Sequence, residues 1–133
     1  VEEGKAAKSK LERTVKAKQK DIDKMQDDLK RLRDEIEQQA ALMKDDVRRQ
    51  KAQDYQKKLM ELQEFYINNQ KELAEQEAKL TKPIFERFEK IMGRIAATDN
   101  YTLIVEKAAA VYAAPSIDLT DRLISEFNAG AGK

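Results

Sequence analysis

The sequence predicts a mainly α protein: a long antiparallel helical hairpin attached to a small β body that serves for oligomerisation. Three observations carry this expectation. Leu11, Val15, Lys18, Ile22, Met25, Leu29, Leu32 and Ile36 alternate steps of 4 and 3 residues, a heptad seam broken only by Lys18. A second seam follows a polar break and keeps the same rhythm: Tyr55, Leu59, Leu62, Tyr66, Asn69, Leu73, Gln76 and Leu80. The pattern then changes after Ala97, where short apolar and β-branched runs replace the heptads.

The first helix is expected from about Glu2 to about Asp45, and Lys5 to Ala97 contains only Pro83 and Gly93 as helix breakers. The reversal is expected within 44–53, because Asp45 and Asp46 can cap a new helix and the seam lapses between Val47 and Tyr55. The second helix is then expected from about Lys51 to Ala97, so the hairpin arm occupies residues 1–97 with its tip near 44–53. At 1.5 Å per residue, each limb would reach roughly 65 Å. Pro83 removes one backbone donor inside the second helix and is expected to bend it.

Residues 98–133 form the expected body. Thr98-Asp99-Asn100 reads as a turn, Tyr101 to Glu106 and Ala110 to Ala113 as short strands, and Pro115-Ser116 as another turn. A closing helix from Leu119 to Asn128 is capped by Asp118 or Thr120 and has an apolar face of Leu119, Leu123, Ile124 and Phe127. Two short strands are marginal alone, so further strands or other chains are expected to complete the body.

Composition narrows the function. Of 133 residues, 38% are charged and 41% hydrophobic, which suits extended helices better than one broad core. The 26 basic and 25 acidic residues nearly cancel, so a chain-wide attraction to nucleic acid is not expected. There is no histidine and no cysteine, which removes imidazole general bases, thiolate nucleophiles and the usual zinc ligand sets. No glycine-rich phosphate loop is present, and no cofactor or enzymatic activity is expected. Acidic pairs such as Asp27-Asp28 and Asp34-Glu35 read as solvated helix faces. No apolar run approaches the roughly 20 residues of a membrane span.

Three groups of residues stand out as candidate surfaces. On the second helix Met60, Ile67, Ala74, Phe85 and Met92 form a stripe displaced about 100° from the seam. Phe85 and Met92 lie near the body and are expected at a subunit contact. Met60, Ile67 and Ala74 lie farther along the arm and are candidates to touch apolar client chains, methionine being suited to surfaces of variable shape. Around the reversal, Lys44, Arg48, Arg49, Lys51, Lys57 and Lys58 outnumber Asp45, Asp46 and Asp54. An ordinary solvated helix end is the plain alternative; the functional one is a cationic rim for anionic lipid or acidic client segments. The polar seam residues Lys18, Gln39, Asn69 and Gln76 lower arm stability, and such residues often fix register.

The order charged helix, turn, charged helix, then Tyr101 to Glu106, Ala110 to Ala113 and Ile117-Asp118-Leu119-Thr120-Asp121 before a last helix resembles the Skp (OmpH-like) family of periplasmic chaperones. The opening Val1 to Ala7 is also similar to that family's first helix. The resemblance implies a jellyfish-like homotrimer in the periplasm of a Gram-negative bacterium, whose helical arms enclose a cavity that holds unfolded outer-membrane proteins without ATP. It further implies that Leu103, Ile104, Val105, Val111 and Tyr112 build the body, with a family strand ahead of the first helix that this sequence does not include. A structural coiled-coil protein that spaces or links other components is the alternative from a different class.

Overall fold

The computed structural model describes all 133 residues, as three α-helices: α1 (Glu2–Gln39), α2 (Asp45–Asp99) and α3 (Thr120–Asn128). Single 3₁₀ turns at Lys107–Ala109 and Pro115–Ile117 interrupt the segment between α2 and α3. Two compact units result, one of Lys10–Gln76 and one that combines Val1–Ser9 with Glu77–Lys133.

Within the Lys10–Gln76 unit, α1 and α2 run antiparallel. Ile22, Leu29 and Leu62 are buried between them, with Met25, Tyr55, Leu59 and Phe65 packed alongside. Heptad spacing places these residues on one stripe of each helix, and burial of that stripe rather than intrinsic propensity is what holds long charged helices together. The polar seam positions answer one another: Lys18 Nζ donates to Asn69 Oδ1 at 2.6 Å and to Glu72 Oε2 at 2.6 Å. Asn69 is 6% exposed, and its Nδ2 is buried without an acceptor.

The reversal occupies residues 40–44, upstream of the expected 44–53, and α2 begins at Asp45 rather than near Lys51. The lapse in the apolar seam is therefore not a turn. Lys51 fills it and donates to Glu35 of α1 at 2.5 Å, so an ion-paired layer stands where an apolar one was missing. Asp45 and Asp46 do start the helix, where their charge complements the N-terminal dipole.

The second unit is built round Ala7, Ile84, Ile91, Ile95 and Phe127, with Val1, Leu80, Phe88, Leu119, Leu123 and Ala131 against them. The α2 helix continues through Pro83, whose side chain is exposed. It closes after Asp99: Asn100 adopts φ 58° and the Tyr101 N–H donates to Ala96 O at 3.0 Å, a Schellman-type end with asparagine where glycine is commonest. At the end of α3, Gly130 (φ 94°) plays that part, and the Ala131 N–H donates to Glu126 O at 3.0 Å.

The β body expected from Tyr101 to Ala113 is absent. Leu103, Ile104 and Val105, like Val111 and Tyr112, belong to no strand, and all but Ile104 are exposed. The local backbone is extended in places, with Glu106 at φ −62°, ψ 141° and Ala110 at φ −99°, ψ 125°. Residues of high β-propensity become a strand only against a second edge that takes up their N–H and C=O groups, and within this single chain these segments have none.

Candidate functional site

The hairpin seam turns one face of α2 toward α1 and leaves the others free. Met60 (61% exposed) and Ile67 (69% exposed) lie on such a free face, with Ala74 also exposed. Successive spacings of seven residues put the three at one heptad position, whereas Leu59, Leu62 and Phe65 are turned into the packing. This is an apolar line in water on a helix otherwise covered with charge. Single exposed apolar residues are ordinary; their alignment at a fixed helical position is the informative feature.

Near the reversal, the six cations differ in availability. Arg48 pairs with Asp45 at 2.5 Å, Lys51 with Glu35 at 2.5 Å, and Lys57 reaches Glu61 at 4.0 Å. Lys44, Arg49 and Lys58 carry no ion pair. Beside them Leu42 is 88% exposed, in the turn itself. A shallow open groove close by is lined by Arg33, Ile36, Glu37, Ala52 and Tyr55.

In the other unit, Phe85 is exposed and meets Phe88 edge-on at 6.4 Å between ring centres, while Met92 is half-buried. Leu103, Val105, Val111, Tyr112 and Ile117 add exposed apolar surface. The same unit is pinned by ion pairs. Glu126 accepts from Arg94 at 2.5 Å and from Arg122 at 3.2 Å, and those cations, Arg94 foremost, hold its carboxyl below the usual range. Arg122 also bonds Asp99, which together with Glu126 raises its affinity for its proton.

Asp118 receives the Lys107 ammonium at 2.8 Å and the Thr120 N–H at 3.0 Å. These bonds, Lys107 first, hold the Asp118 carboxyl well below the ordinary carboxylate range and raise Lys107 in return. Asp118 thus ties down the start of α3 from the residue ahead of the cap; the cap position itself is Leu119, without a side-chain capping bond, and not Asp118 or Thr120 as expected, because α3 begins at Thr120. No group of His, Cys, Asp or Glu is arranged to hold a metal ion.

Residues 1–127 match the family described as Outer membrane protein (OmpH-like). The chain belongs to the OmpH-like family. At family level OmpH-like proteins are periplasmic chaperones of outer-membrane proteins and not enzymes. No curated protein sequence matches the chain. No helix of this OmpH-like chain is long and apolar enough to cross a membrane.

Two features of this OmpH-like chain escaped the reading of the sequence. The seam runs on beyond Leu80 through Ile84, Arg87, Ile91 and Ile95, and Arg87 is buried within it. The 4 and 3 spacing was there to reveal it, but an arginine at a seam position reads as the end of a stripe. The pairing of Lys18 with Asn69 was equally hidden, because each was visible only as a defect in its own seam.

Proposed function

We propose that this chain is an ATP-independent holdase that keeps unfolded outer-membrane proteins from aggregating in the periplasm. The observation that carries the reading is the aligned exposure of Met60, Ile67 and Ala74 on the face of α2 that α1 leaves open, in a member of a chaperone family. Such a line offers many weak, interchangeable contacts to an extended apolar segment, and methionine adapts its thioether to different side chains. Holding of this kind needs no bond chemistry, and release follows when the client meets a better partner.

The reading includes assembly. A homotrimer would bury Leu103, Ile104, Val105, Val111 and Tyr112, with Phe85 and Met92, and supply the missing strand edges. Three hairpins round one axis would then enclose the client. Exposure of most of these residues in the single chain supports a contact with other copies.

Light scattering coupled to size exclusion, with a urea-diluted outer-membrane β-barrel protein added, tests both parts. The expected result is a defined oligomer whose mass rises by one client. Met60→Asp with Ile67→Asp should reduce client retention while leaving the oligomer mass unchanged. An oligomer that lets the client aggregate would instead favour a structural coiled-coil role.

At the reversal, the nearly full exposure of Leu42 in the turn ahead of the unpaired cations Lys44 and Arg49 supports an auxiliary contact with anionic lipid. Vesicles with phosphatidylglycerol should retain the protein at low salt and release it as salt rises; retention indifferent to salt would refute a charge-led contact.

A further inference from the structure

A buried guanidinium is costly unless its donors are met, and Arg87 is 8% exposed among isoleucines. Three of its bonds reach two distant parts of the chain. Nη1 donates to Glu3 Oε1 of α1 at 2.6 Å, Nη2 to Phe127 O of α3 at 2.6 Å, and Nε to Ala131 O beyond α3 at 2.7 Å. Its Cζ lies 3.8 Å from the centre of the Phe127 ring, a cation–π contact.

Phe127 O lies in the last turn of α3 and takes Arg87 as a second donor beside the Gly130 N–H at 3.0 Å, Ala131 O lies beyond the helix, and a cation there also meets the negative end of the α3 dipole. The residues after α3 are shaped for this arrangement. Gly130 at φ 94° and Gly132 at φ 77° turn the chain back on itself. A Cβ at Gly132 would stand 3.1 Å from Arg87 Cγ, 3.1 Å from Arg87 O and 3.2 Å from Ile91 Cγ1, so the tail lies directly on Arg87. A second tie joins the same two segments: the Glu2 N–H donates to Asn128 Oδ1 at 3.2 Å.

We propose that Arg87 is a latch that makes the docking of the tail 128–132 and the ordering of the first turns of α1 one coupled event. When the tail leaves, Arg87 loses the Ala131 O acceptor and part of its cover, and its bond to Glu3 is then made in water at much lower value. When Glu3 is lost, the buried cation is left with carbonyls alone. Each end therefore stabilises the other through a single side chain, and thermodynamic reciprocity requires the effect to be equal in both directions. This inference is independent of client binding.

The test is residue-resolved amide hydrogen exchange on the full chain, with perturbations made at one end and read at the other. Gly132→Val strains the tail and touches no α1 residue. It should speed exchange of the Ala6 to Ser9 amides by at least about fivefold, the low end of ordinary coupling. Glu3→Gln, a mild surface change, should speed exchange of the Gly130 and Ala131 amides by a similar factor. Amides of Ile22 to Leu29 serve as the control and should not change. Arg87→Met should speed both ends and abolish the cross-effects of the other two substitutions. If each substitution disturbs only its own end, or if Arg87→Met leaves either end unchanged, the latch is refuted.

Discussion

Replacing Asn69 with leucine should stabilise the hairpin. Asn69 is buried, its Oδ1 accepts from Lys18 at 2.6 Å, and its Nδ2 has no acceptor. The orphaned donor costs about 1–3 kcal/mol, which leucine removes. Burying a leucine side chain at the seam contributes about 1.5–3 kcal/mol. Against this stands the lost charge-assisted bond, about 1.5–3 kcal/mol. Lys18 is not stranded, since Glu72 still accepts from it at 2.6 Å.

The net expectation for Asn69→Leu is a gain of about 1–3 kcal/mol, or roughly 3–5 °C in Tm per kcal/mol for a chain of this size. Asn69→Ala should instead change stability by less than about 1 kcal/mol, because relief of the orphaned donor offsets the lost bond and no apolar contact is added. Urea and thermal melts followed by circular dichroism measure both, and a double-mutant cycle with Lys18→Met isolates the coupling. Polar seam residues trade stability for register, so light scattering on Asn69→Leu should also show a broader range of assembled species. Destabilisation by Asn69→Leu of more than about 1 kcal/mol would mean that the Nδ2 donor is satisfied, and would refute the accounting.

The Asp118 tie gives a pH dependence. Its carboxyl is depressed in the folded chain, so the unfolded chain protonates first. The stabilisation is complete above the unfolded value of about 3.9 and is lost progressively as pH falls below it. The Thr120 amide resonance should report this loss at the start of α3, and Asp118→Asn should make that resonance insensitive to acid. Asn100→Gly should stabilise by up to about 1 kcal/mol in thermal melts, since φ 58° costs a residue with a Cβ, while Asn100→Val should destabilise by about 1–2 kcal/mol. Val111→Asp with Tyr112→Asp should reduce the assembled mass by light scattering while leaving the helical signal intact; an unchanged mass would remove those residues from the subunit contact.

The helices were legible because their signals are local. Ile22, Leu29, Leu59 and Leu62 announce a buried stripe by spacing alone, and the scarcity of breakers announces its length. The closing helix was equally visible, since Leu119, Leu123 and Phe127 share a face and Asp118 lies just ahead. The reversal was misplaced because Lys51 looks like a break from within one helix and becomes a seam residue only when Glu35 faces it. The exposed line of Met60, Ile67 and Ala74 could be set apart from the seam by periodicity, although exposure itself required knowing which face α1 covers.

By itself, then, the sequence determined that this is a chain of long amphipathic helices without histidine or cysteine, because periodicity and composition are properties of one strand of residues. The tertiary structure decided what pairing alone can decide. Lys18 meets Asn69, Lys51 meets Glu35, and Arg87 gathers Glu3 with the carbonyls of Phe127 and Ala131. Leu103 to Val105 and Val111 to Tyr112 stay unpaired for the same reason: a strand, like an ion pair, is made by its partner, and no partner edge exists within this chain.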